Sequence, residues 1–211
     1  MDAVEFDDDM AEDYLAGSSV DIPASEEAVS HLLEALGEHT EREGLANTPK
    51  RVARMYTELL SGYRADPEKI VNGALFNITY DQMVIVRDIE FYSLCEHHML
   101  PFLGRVHTAY MPNGKVIGLS KIPRLVDVFA RRLQVQERMT QQIAELLQEL
   151  LEPNGVAVVV EGVHLCTMMR GVKKHDARMT TSAMHGSFRT NPATREEFFA
   201  NIARGSSPLQ I

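Results

Sequence analysis

Between Val84 and Val160 the apolar residues change their spacing from that of strands to that of helices and back. Few architectures accommodate such an order. Val84, Val86 and the stretch Ile89 to Tyr92 alternate or run apolar, as does Gly104 to Tyr110, the pattern of strands with at least one covered face. Pro112-Asn113-Gly114 reads as a hairpin turn into Val116-Ile117. The period then becomes helical over Ile122 to Phe129. It stays helical from Gln136 to Leu151, where Met139, Ile143, Leu146, Leu147 and Leu150 share one face. Asn154-Gly155 ends that helix, and Val156 to Val160 is continuously apolar, as a strand covered on both faces requires.

Helices flank this region. One is expected from Ser25 through Val29, Leu32, Leu33 and Leu36, stopping at Gly37. A second begins at Thr48 with Pro49 at its first position, where the missing N–H does no harm. A strand is expected over Met179 to Phe188. Thr194 and Glu197 are spaced as a capping box for a last helix through Phe198, Phe199 and Ile202. No internal repeat is present. The order predicts an α+β chain with a mostly antiparallel sheet.

Charge and composition narrow the function. The net charge is −9, and the first 30 residues hold ten acids and no Lys or Arg, so the remainder is close to neutral. That excludes the broad basic field of a nucleic-acid binder. No apolar run reaches the roughly 20 residues of a membrane span, and no secretory signal opens the chain, so a cytoplasmic protein is expected. Residues 1–22 are read as an acidic disordered tail and 23–211 as one domain, with N-terminal helices at 25–62 and a core over about 80–203. Lys121, Arg124, Arg131, Arg132, Arg138, Arg170, Lys173, Lys174 and Arg178 form a basic set. It reads either as solvated surface or as a pocket for a small polyanion.

The two cysteines, Cys95 and Cys166, carry the chemistry. Cys95-Glu96-His97-His98 lets a thiolate and an imidazole converge on one ion, and Cys166 can add a third ligand. Three ligands leave a position for water, as in catalytic zinc sites. A structural site with His97 or His164 as fourth ligand, or no metal and two buried cysteines, are the alternatives. His164 precedes Cys166 by two, which in a strand places both on one face, where a general acid would be useful. Glu137 opens the long helix, either as a capping acid or as a carboxylate accepting two N–H groups from a purine.

At these residues the sequence resembles the GTP cyclohydrolase I family. The segments that carry the resemblance are Thr48 to Arg51, Cys95 to His98, Gly118 to Ile122, Gln134 to Arg138, His164 to Cys166, Arg170-Gly171 and Thr194 to Phe198, and it extends over about 25–203. The resemblance implies Zn2+ held by Cys95, His98 and Cys166. It also implies the tunnelling fold, in which sheets of several subunits close into a barrel, and a homodecamer with active sites at subunit interfaces. The implied activity is hydrolysis of GTP to 7,8-dihydroneopterin triphosphate and formate.

His164 would protonate N7 of the purine, with His97 and Ser120 in later proton transfers. Glu137 and Gln136 would face guanine, and Glu96 the substrate. Lys121, Arg124, Arg170 and Arg51 would hold the triphosphate, Arg51 from a neighbouring subunit. Arg131, Arg132, Lys173 and Lys174 are left as surface charges. His185 stands where the family pattern leads one to expect an apolar residue.

Overall fold

The computed structural model describes residues 20–203. The acidic tail expected at residues 1–22 lies, up to Ser19, outside the described residues. The first helix, α1 (Ile22–Ala35), starts earlier than the sequence pattern suggests. Asp21 accepts the Ala24 N–H at 3.0 Å, and Pro23 fills the first turn, so this cap outcompetes Ser25. At the other end Gly37 takes φ +84°, and Glu38 N–H reaches back to Leu33 O, closing the helix in the left-handed manner glycine allows. α2 (Thr48–Leu59) packs against α1, followed by a tight turn at Ser61–Tyr63 and a short α3 (Pro67–Val71).

The sheet strands are β2 (Val84–Cys95), β3 (Pro101–Met111), β5 (Leu133–Gln134), β6 (Gly155–His164) and β7 (Met179–Gly186). They form a mixed sheet in the order β5-β2-β3-β6-β7; β5 pairs with β2 in parallel and every other pair is antiparallel. β1 (Leu75–Asn77) and β4 (Lys115–Ile117) form a separate two-stranded ribbon. This corrects the expected hairpin at Pro112-Asn113-Gly114. The turn exists, with Gly114 at φ +80°, but β4 does not fold back onto β3. β3 has no free edge to offer, since β2 pairs along one side (Val84 with Tyr110) and β6 along the other (Met111 with Gly155). β3 and β6 also approach closely at Gly104, where a Cβ would lie 1.8 Å from the Glu161 carbonyl oxygen.

α4 (Lys121–Ala130) and α5 (Gln136–Leu151) cover one face of the sheet. Ile122, Leu125, Met139, Ile143 and Leu147 meet Phe91, Phe102, Val106, Val156, Val158 and Val160 there. On the other face Ala109, Ala157 and Val159 pack with Phe188 and with Phe198 and Ile202 of α8 (Pro192–Ala203). β6 is therefore covered on both sides, as its unbroken Val156–Val160 run requires. Two short helices complete the set, α6 (Leu165–Met168) and α7 (Ser187–Thr190). The expected capping box at Thr194 does not form. Asn191 Oδ1 accepts the Ala193 N–H at 3.0 Å and α8 begins at Pro192, so Thr194 is already inside the helix.

Candidate functional site

The site gathers where β2 and β6 end and β3 and α5 begin. After Cys95 the chain turns through Glu96-His97-His98 into β3, and the Met99 N–H donates to the Cys95 carbonyl at 2.7 Å. Met99 takes φ +54°, a left-handed conformation that lets this turn close so tightly. Cys95 is buried and Cys166 half-buried. One ligand atom from each of Cys95, His98 and Cys166 lies within 4.8 Å of the others, a convergence from chain positions far apart. Two sulfurs and an imidazole nitrogen at such spacing fit a borderline-soft divalent cation, and among the described residues no other such group of His, Cys, Asp or Glu exists.

Cys166 reaches this place differently from the sequence argument. β6 ends at His164, and Cys166 lies on α6 rather than on a shared strand face. Burial pushes the Cys166 thiol up, with the neighbouring Cys95 adding to the effect; a bound cation would oppose both. The His98 ring has Nδ1 at 4.0 Å from Cys95 Sγ, and Arg170 Nη1 donates to its Nε2 at 2.6 Å, which brings Arg170 into the site. His97 is exposed, with Nδ1 at 3.9 Å from the same sulfur.

His164 is half-buried and stacks flat on Phe102, with centroids 4.6 Å apart and planes 5° from parallel. Burial pulls its pKa below the ordinary imidazole value, and the negative charge of Glu137 works against that. Glu137 itself is exposed in the first turn of α5 and makes no hydrogen bond among the described residues; the helix has no side-chain cap. Gln136 is different. It is wholly buried, and its amide bonds His164, two backbone carbonyls and Thr181. Glu96 is bonded to Arg138, which holds its carboxyl below the usual carboxylate range. Arg138 was grouped with the basic residues by sequence, and neither it nor Phe102 carried a local signal of its place in the site.

Among the described residues no hydrogen bond or ion pair ties Ser120 or Lys121 to this cluster; with Arg124 they lie at the start of α4. α4 lies along β2 and leads into β5, which pairs with Leu94 and Cys95, so its last turn is the one near the cysteines. Its first turn follows β4, where Ile117 N–H donates to the hydroxyl of Tyr110, the partner of Val84 at the far end of β2. A ten-residue helix separates the two ends by about 15 Å. Arg51 lies in the first turn of α2, and no hydrogen bond or ion pair ties it to the cluster among the described residues. His185 is opposite Val156 on β7, with a buried Nε2 that has no partner among the described residues.

The family model described as GTP cyclohydrolase I matches residues 25–203. The GTP cyclohydrolase 1 of Chlorobaculum tepidum is 59% identical over 83% of this chain and 79% of its own length. That of Leptospira biflexa is 57% identical over 86% of this chain and 99% of its own. That of Campylobacter curvus is 56% identical over 84% and 93%.

Proposed function

This chain belongs to the GTP cyclohydrolase I family, and from that premise we propose that it hydrolyses GTP to 7,8-dihydroneopterin triphosphate and formate, the first step of pterin and tetrahydrofolate biosynthesis, with the following division of labour. The observation that carries the reading is the approach of Cys95, His98 and Cys166 to within 4.8 Å, next to the half-buried His164 and the first turn of α5. Cys95, His98 and Cys166 would hold zinc, which when bound makes water acidic enough to act as a nucleophile near neutral pH.

The protein's own groups do the rest. Glu137 accepts the guanine N1–H and 2-amino N–H together; its carboxylate spends no hydrogen bond within the described chain and stays available. His164 hands a proton to N7 as the C8–N7 bond breaks, so the leaving nitrogen departs neutral. A second hydrolysis releases C8 as formate, and the ribose carbons rearrange and close onto the freed amines. His97 and Ser120 serve these later proton transfers, and Glu96, held ionised by Arg138, faces the substrate. Lys121, Arg124, Arg170 and Arg51 neutralise the triphosphate.

Ser120, Lys121 and Arg124 stand in the first turn of α4, at the far end of that helix from the cysteines, and in this reading they meet the substrate of a neighbouring copy. That supports active sites at subunit interfaces in a tunnelling-fold homodecamer. The exposed Leu32 and Leu36 of α1, 57% and 71% accessible in the single chain, and the single-sided pairing of β7 supply surfaces for such assembly. No helix among the described residues is long and apolar enough to cross a membrane, in keeping with a cytoplasmic enzyme.

The test is incubation with GTP, following the fluorescent pterin and formate and measuring zinc in the purified protein. Mixed oligomers of Lys121→Ala and Glu137→Ala, each inactive alone, would regain activity if one site draws on two subunits. Failure to regain it would place the two residues in the same chain's site.

A further inference from the structure

We infer that Gln136 does not read the substrate: it is a positioning residue that locks His164 in one orientation and one tautomer, leaving Nδ1 as the nitrogen that exchanges a proton with the substrate. The inference rests on the assignment of His164 as the proton donor and specifies how that residue is held.

The amide orientation follows from its neighbours. Gln136 Nε2 lies 3.1 Å from the Val160 carbonyl and 3.0 Å from the Met179 carbonyl, groups that only accept. The atom facing them is therefore the NH2, and its two hydrogens are used. Oε1 must then be the atom 2.9 Å from His164 Nε2, and a carbonyl oxygen only accepts. His164 Nε2 is therefore the donor and carries the hydrogen. The hydroxyls nearby reinforce this direction. Thr140 Oγ1 donates to the Gln136 backbone carbonyl at 2.7 Å, so the 2.6 Å contact between Thr140 and Thr181 has Thr181 as its donor.

The surroundings leave the amide no alternative position. Gln136 is 0% exposed. A Cβ on Gly162 would lie 2.5 Å from Gln136 Oε1, so only glycine there lets the amide lie against β6. Phe102 stacks flat on the His164 ring and fixes its plane. With Nε2 committed inward, only Nδ1 remains for the reaction. In the step, water having added across C8=N7, imidazolium protonated on both nitrogens gives its Nδ1 proton to N7 as the C8–N7 bond breaks; the electrons of that bond stay on nitrogen, the C8 hydroxyl releases its proton and becomes the formyl carbonyl, and the ring is left as the Nε2–H tautomer that Gln136 stabilises.

Neutron diffraction from the deuterium-exchanged wild-type protein should show a deuteron on His164 Nε2 directed at Gln136 Oε1. A bare Nε2 would overturn the inference without any variant. Gln136→Met keeps the side-chain volume and removes the acceptor. Its kcat is expected to fall about 10–100-fold, the usual cost of losing a supporting contact, with KM changed less than about twofold. A raised KM with normal kcat would make Gln136 a substrate contact and refute the proposal. In a His164→Ala background Gln136→Met should cost nothing further, because it acts through that ring; an additive loss would also refute it. If His164→Ala turned over GTP normally while the deuteron stood on Nε2, the role of His164 would fail and the hydrogen-bond assignment would stand.

Discussion

Cys95 and Gln134 are register partners in the two-residue parallel pairing of β2 with β5. The Glu96 N–H continues the ladder to the Gln134 carbonyl at 3.0 Å. The buried Gln134 amide is held in turn by the Phe129 carbonyl, Gln142 and Arg138. Two residues later α5 begins with Gln136 and Glu137. A very short strand thus fixes the distance between the cysteine-bearing turn and the helix end that carries the proposed guanine contact.

Cys166→Ala is expected to lose bound metal and turnover together, whereas His164→Ala keeps metal and loses turnover. A thiolate is one of only three protein ligands in the proposed set, so its loss removes most of the affinity. Loss of a general acid slows a reaction by roughly 10²–10⁴-fold and leaves the metal in place. Metal analysis of both purified variants, alongside the formate assay, checks this. A metal-free His164→Ala would make His164 a ligand.

Glu137→Gln should weaken kcat/KM for GTP by about 2–4 kcal/mol, because the amide presents a donor where guanine presents two N–H groups. The change is isosteric, and Glu137 makes no hydrogen bond among the described residues, so thermal stability should hardly move. Normal turnover would remove Glu137 from guanine recognition.

Gly162→Ala tests the space beside the amide. Gly162 has an ordinary backbone conformation, so the added methyl acts by its 2.5 Å approach to Gln136 Oε1 alone. The protein is expected to fold and bind metal while kcat drops, as for Gln136→Met. Unchanged kcat would mean that the amide tolerates displacement.

His107 makes stability depend on pH. It is buried, its Nδ1 accepts the Asp88 N–H at 3.2 Å, and burial pulls its pKa below 6.5, outweighing the opposing pull of Asp88 and Glu161. The unfolded chain therefore binds this proton more readily than the folded one. Stability contributed by neutral His107 is present above about pH 6.5 and declines as pH falls toward the folded-state value. Urea unfolding of wild type and His107→Gln across this range should show a smaller acid-side loss in the variant. Parallel curves would exclude His107 as the source.

Much of this molecule is legible from local pattern. The 3.6-residue period of Met139, Ile143 and Leu147 marks α5 because a helix face repeats at that interval whatever lies opposite. The run Val156–Val160 marks a strand covered on both faces for the same kind of reason. Cys95, His98 and Cys166 were recognisable because soft donors beside histidines are rare in composition, and the fold does bring them together.

What tertiary structure decided depends on which groups are already occupied. Pro112-Asn113-Gly114 looks like a hairpin, but β4 pairs with β1 because β2 and β6 use both edges of β3. Thr194 and Ser25 look like caps, but Asn191 and Asp21 lie earlier in the chain and take the free N–H groups. Gln136 and Glu137 are neighbours in sequence, yet a helix turns about 100° per residue, so adjacent side chains point apart. One is spent inside on His164 while the other stays exposed. Sequence determines what each residue can offer; long-range pairing determines which offers are already taken before the substrate arrives.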